Sequence, residues 1–143
     1  MNPRESWLLF ALGSAFFAAL TALFGKLGVA GINSNLATFI RTLVILAVTA
    51  AILTLRTEWA KPAGLPWHSW MFLVLSGVAT GLSWLCYYRA LQLGPISKVA
   101  PIDKLSVAMA IVLGIVALGE RPGWPVLVGG VLIVAGSLVI ALF

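Results

Sequence analysis

One cysteine, one histidine and four acidic residues are all that this 143-residue chain has of the groups that build metal centres and acid–base sites. With Cys86 alone, an intrachain disulfide and a thiolate metal cluster are both excluded, and the residue reads as a small core side chain. His68 falls in the longest loop, without a metal or triad partner. Neither a phosphate loop nor a dinucleotide glycine pattern is present. No residue is therefore assigned to catalysis or to a metal, and no cofactor is expected. Charge is scarce as well, at 9% of residues, too little to cover a soluble domain of this size.

What the chain has is apolar length. Residues of hydrophobic type make up 62% of it, which calls for lipid as the solvent. A bilayer core about 30 Å thick takes roughly 20 apolar residues as helix, so the length accommodates about five crossings and little else. Apolar runs extend over Trp7 to Val29, Leu36 to Leu55, Trp70 to Leu93, Ile96 to Leu118 and Trp124 to Phe143. The first is longer than a signal-peptide core and is read as a retained span. The breaks between runs are Gly31 to Ser34, Arg56 to Ser69 with Pro62, Gly64 and Pro66, the Gly94-Pro95 turn, and Glu120 to Gly123. The expected fold is all-α, a polytopic bundle of five transmembrane helices forming one domain over residues 1–143, in a bacterial-type inner membrane.

The formal charge of +5 does not point to nucleic acid, because the basic residues are scattered singly through apolar sequence. An odd number of spans puts Trp7, Trp59, Trp67, Trp70 and Trp124 on the amino-terminal face, as an interfacial belt, and leaves Trp84 inside a span. Arg4, Arg56, Lys61 and Arg121 share that face, whereas Lys26, Arg41, Arg89, Lys98 and Lys104 fall in the opposite half. Loop residues alone favour a cytoplasmic amino terminus; with the helix-end cations included the bias vanishes, so insertion in both directions is physically open.

An ionisable group at a helix centre costs about 2.5–3.5 kcal/mol on insertion scales and calls for a partner, water or a route to the interface. Lys26, Arg41, Arg89 and Lys98 lie within one to two turns of a span end and can snorkel; alternatively they line a vestibule that favours anionic or zwitterionic solutes. Asp103 and Lys104 lie deeper, about 12 Å along the fourth span from Pro95. Adjacent helical residues diverge by about 100°, so at least one of the two is expected to find a partner elsewhere, with Arg41 and Arg89 at the nearest depth. Pro101 weakens the helix beside them by freeing the Ser97 carbonyl. Small and hydroxyl residues recur at Ser14, Ala18, Thr21 and Gly25 and at Ser76, Thr80, Ser83 and Tyr87, with Gly77/Gly81 and Gly129/Gly136 as close-packing pairs. Trp84, Tyr87 and Tyr88 add aromatic surface for an organic solute.

The segments LGPISKVAPIDKLS and LGERPGWPVLVGGVLIVAGSLVI resemble the carboxy-terminal part of an EamA repeat of the drug/metabolite transporter superfamily. The resemblance covers the whole chain as one five-helix repeat, and Ala100-Pro101 and Glu120 match recurrent positions, Glu120 ending a helix. Many members carry two such repeats in inverted orientation and move small metabolites. One repeat alone implies a homodimer that restores the missing half, its subunits inserted either in opposite directions or in parallel. The function expected is a small secondary transporter whose solute meets Asp103, Lys104, Arg41, Arg89, Tyr87 and Trp84, with Pro101 and Glu120 as structural or hinge positions. The partners expected are the bilayer, the solute and a second copy. The alternative is a membrane assembly protein, or a channel, in which these charges only pair helices.

Overall fold

A backbone in lipid has to satisfy its hydrogen bonds within the segment, so long apolar runs become helices. The computed structural model describes the backbone of residues 3–59 and 64–143, with side chains from residue 6 onward, and contains no strand among the described residues. Its helices are α1 (Pro3–Gly28), α2 (Ser34–Leu55), α3 (Trp67–Leu93), α4 (Ile96–Asp103), α5 (Leu105–Leu118) and α6 (Trp124–Leu142). Five stretches are long and apolar enough to cross a membrane: Ser6–Gly28, Ser34–Leu55, Trp67–Leu93, Ile96–Leu118 and Trp124–Leu142. The expectation of an all-α protein with five spans holds. Lys61 and Pro62 lie outside the described residues, as does the Arg4 side chain.

Besides shifts of one to four residues at the ends of the first and last helices, three boundaries differ from the sequence reading. The fourth span is two helices, α4 and α5, with Lys104 as the joint between them. Pro101 removes one amide donor, and the chain tightens at once into three-residue turns: the Lys104 N–H donates to the Pro101 carbonyl at 3.1 Å and the Val107 N–H to the Lys104 carbonyl at 3.0 Å. The third helix begins at Trp67 instead of Trp70, because the Pro66 carbonyl accepts the Trp70 N–H at 3.2 Å and starts the ladder early. His68 is thereby helical, its ring edge-on to Phe72 at 4.7 Å. Ser34, read as part of a break, is the first residue of α2, since the Asn33 side chain caps the helix by accepting from the Asn35 and Leu36 amides at 2.8 and 3.3 Å.

The chain divides into two compact units, Met1–Leu23 with Leu93–Phe143, and Phe24–Gln92. In the first, α6 packs on α4 and α5. The approach is closest at Gly130, where a Cβ would stand 3.1 Å from Ile111 Cδ1. Gly119, at φ 68°, ends α5, and the Glu120 N–H turns back to the Gly114 carbonyl at 3.0 Å. The Glu120 carboxylate then lies over Gly114, where a Cβ would meet it at 2.8 Å. In the second unit, Gly31 at φ 79° turns the chain from α1 toward α2. Gly25 lets α1 approach α3, because a Cβ there would be 3.2 Å from the Tyr88 hydroxyl and 3.4 Å from Leu91 Cδ1.

A Cβ at Gly77, Gly81, Gly129 or Gly136 would meet nothing within 4 Å, so none of these glycines marks close packing within its own unit. Cys86 is exposed on α3 instead of sitting in a core. Within the units the close helix contacts form around Gly25 and Gly130 instead.

Candidate functional site

Between residues 24 and 92 the sequence holds five Lys or Arg residues and a single acid, Glu58. That imbalance decides the chemistry of the unit. Glu58 lies just beyond the end of α2, where it pairs with Arg56 at 3.8 Å, both side chains being more than half exposed. Lys26, Arg41 and Arg89 stand toward the other end of the helices, and each has found something other than a carboxylate.

Arg41 is the eighth residue of α2, about 10 Å from its start by helical rise. Its guanidinium carbon sits 3.2 Å from the centroid of the Trp84 ring, with Tyr88 at 5.7 Å. Trp84 is in turn edge-on to Tyr87 at 5.6 Å and tilted against Tyr88 at 5.9 Å. A cation on an indole face is worth about 0.5–1 kcal/mol when exposed and about 2 or more when desolvated, so stacking can hold Arg41 at this depth without an acid. A guanidinium held over a ring face still has N–H donors that can meet a carboxylate or phosphate. Tyr88 is only 5% exposed, fixed between Gly25 and this cluster.

Lys26, in the last turn of α1, donates from Nζ to the Leu91 carbonyl near the end of α3. Arg89 donates to Gln92 Oε1 at 2.9 Å, and Gln92 reaches back through Nε2 to the carbonyls of Val29 and Ile32. These contacts tie the ends of α1 and α3 together.

In the other unit, the flexible Lys104 side chain brings its ammonium within 3.4 Å of the Asp103 carboxylate, although the two are neighbours in sequence. The pair is partly open, with the Asp103 and Lys104 side chains 37% and 54% exposed respectively. Pro101 is anchored from α6: the buried Ser137 hydroxyl donates to the Pro101 carbonyl at 2.9 Å. Sequence reasoning passed over Ser137, although it is the only hydroxyl in the sixth helix, which is itself the signal. Of the expected solute residues, Arg41, Trp84 and Tyr87 are brought together, Arg89 is held beside Gln92, and Asp103 and Lys104 form a pair of their own. Thr80, on one of the expected polar seams, is satisfied locally by the Ser76 carbonyl of its own helix at 2.8 Å.

Comparison with known proteins agrees with this membrane architecture. Residues 5–142 match the model of the EamA-like transporter family. A protein of Sinorhizobium sp, named "Uncharacterized transporter in cobO 3'region", is 52% identical over 139 residues, which is 97% of this chain and 99% of that relative. That relative therefore consists almost wholly of the region shared with this chain. No solved structure matches significantly. With the family model covering nearly every residue and a transporter-named relative matching end to end, this multi-pass membrane protein belongs to the EamA-like transporter family.

Proposed function

We propose that the protein is a secondary transporter of small anionic or zwitterionic metabolites, residing in a bacterial inner membrane and working as a homodimer. The observation that carries the reading is Arg41 set over Trp84 at 3.2 Å, about two turns into a span and among aromatic rings, in a unit whose only acid lies at the other end of α2. A solute carboxylate or phosphate would engage the guanidinium edge, and Trp84 and Tyr87 would flank its organic part. Asp103 and Lys104 are proposed as further solute contacts in the other unit, where a zwitterion can answer both charges.

The dimer rests on a separate consideration. Inverted repeats permit alternating access by rocking one half against the other, and one five-span repeat supplies only half of such a machine. Gly129 and Gly136 leave open space on α6, a small-residue face that a second copy could cover. Opposite insertion of the two copies supplies the inverted pair. The competing reading, a membrane assembly protein, draws on the mutual pairing of Asp103 and Lys104, which would then serve helix geometry alone.

A thermal-shift screen of the purified protein against anionic, zwitterionic and cationic metabolites tests the solute class. A ligand at about 100 times its dissociation constant adds about 2.7 kcal/mol of stability, well within reach of such a measurement. The expected hits are anionic or zwitterionic and disappear in Arg41→Gln. Hits confined to cations, or hits retained by Arg41→Gln, would refute the assignment. A topology reporter at the carboxy terminus tests opposite insertion, and a single orientation for every copy would rule it out.

A further inference from the structure

The turn after α1 and the last turns of α3 enclose a cavity of about 370 Å³ that Arg41 does not line; its walls include Lys26, Val29, Gly31, Arg89, Leu91 and Gln92. We propose that this cavity binds a phosphate group at the membrane surface, with Arg89 as its principal ligand and Lys26 as a second charge, and that the phosphate is the headgroup of an acidic phospholipid. The site is separate from the Arg41 cluster and does not depend on what that cluster transports.

Charge is the first argument. Two cations line the cavity, and the unit's one acid, Glu58, lies past the far end of the 22-residue α2, about 33 Å away by helical rise. At that separation Glu58, which pairs with Arg56, forms no ion pair with either cation. The carboxy-terminal dipoles of α1 and α3 also point at this end, but each amounts to only about half a negative charge. Two full positive charges against two halves leave the cavity attractive to an anion.

Donor geometry is the second. Gln92 is committed on both sides of its amide, to Arg89 and to the carbonyls of Val29 and Ile32, and so it fixes the Arg89 side chain at the rim. A guanidinium has five N–H donors, and the bond to Gln92 engages NH1 alone, which leaves the planar fork able to take two phosphate oxygens together. Lys26 is anchored on the Leu91 carbonyl, which holds its ammonium at the wall instead of letting it swing into solvent.

Depth is the third. Lys26 lies in the last turn of α1 and Gln92 is the second-last residue of α3, so the cavity opens at the level where a span ends and headgroups begin. Leu27, beside Lys26 in the chain, is 67% exposed and Ile32 is 40% exposed, offering apolar surface for acyl chains next to the charged rim. Basic pockets between transmembrane helices at this level are a recurrent way of holding acidic lipid headgroups.

The test uses the full-length protein in neutral detergent, with lipid retention read by native mass spectrometry. Phosphatidylglycerol and phosphatidylcholine of equal chain length are compared, with and without inorganic phosphate at millimolar concentration. The expected result is preferential retention of phosphatidylglycerol, weakened about tenfold in Arg89→Gln, less in Arg89→Lys, and unchanged in Arg56→Gln at the other end of α2. Retention that survives inorganic phosphate supports the lipid headgroup as the ligand; displacement by phosphate supports the same cavity binding the free anion. Should Arg89→Gln fail to give a monodisperse protein, Arg89→Lys and Lys26→Gln provide the same comparison. Equal retention of phosphatidylglycerol and phosphatidylcholine, or wild-type retention in well-behaved Arg89 and Lys26 variants, overturns the proposal.

Discussion

Gly25→Ala is expected to destabilise the protein where the same change at Gly13, on the same helix, does not. A Cβ at Gly25 would lie 3.2 Å from the Tyr88 hydroxyl, 3.3 Å from its Cζ and 3.4 Å from Leu91 Cδ1. Neither neighbour can give way easily, because Tyr88 is 5% exposed and Leu91 is fully buried. A Cβ at Gly13 would meet nothing within 4 Å. Both substitutions gain the same helix propensity, about 0.8–1.0 kcal/mol for Ala over Gly, so comparing them cancels that gain and isolates the packing conflict. Overpacking costs typically about 1–3 kcal/mol, and that range is the predicted difference between the two variants. Unfolding in mixed detergent micelles, followed by tryptophan fluorescence, measures it. Gly25→Ala as stable as Gly13→Ala would show that α1 and α3 do not meet at Tyr88, and with that the fixed position of the aromatic cluster would fall.

Two further substitutions probe the other unit. Ser137→Ala removes the hydroxyl that holds the Pro101 carbonyl, but that carbonyl still accepts the Lys104 N–H, so the loss should be modest, about 0.5–1.5 kcal/mol in the same unfolding assay. No change would mean that α6 is not anchored at the α4–α5 joint. Asp103→Asn should reduce flux more than Glu58→Gln, since Glu58 belongs to an exposed pair of a kind that contributes about 0–1 kcal/mol; equal effects on flux and expression would assign Asp103 no special role.

The spans were legible because apolar length and the glycine, proline and asparagine punctuation are local properties. Glu120 at a helix end was legible in the same way, whereas Asn33 stood in the sequence only as one residue of a break, and its capping of α2 emerges with the fold. The joint at Lys104 was half legible: Pro101 announces a weakened helix, but whether the chain kinks or breaks depends on what satisfies the neighbouring carbonyls, and Ser137, 36 residues away, is part of that answer. Glycine spacing was partly legible for a related reason. It states where a helix can be approached closely and not which helix arrives, so Gly77 and Gly81 stayed open while Gly25 received Tyr88. Arg41, Trp84 and Tyr87 were each identifiable as unusual within a span, but the stacking of Arg41 on Trp84 joins residues 43 positions apart, a pairing that periodicity does not encode.

The central claim is that the chain moves a small solute across a membrane through contacts that include Arg41. The direct measurement is uptake into proteoliposomes of the best anionic or zwitterionic ligand from the stability screen, comparing wild type with Arg41→Gln and with Arg56→Gln. The account predicts protein-dependent, saturable uptake that Arg41→Gln abolishes and Arg56→Gln preserves. Uptake no greater than in protein-free vesicles, or equal in wild type and Arg41→Gln, would contradict it.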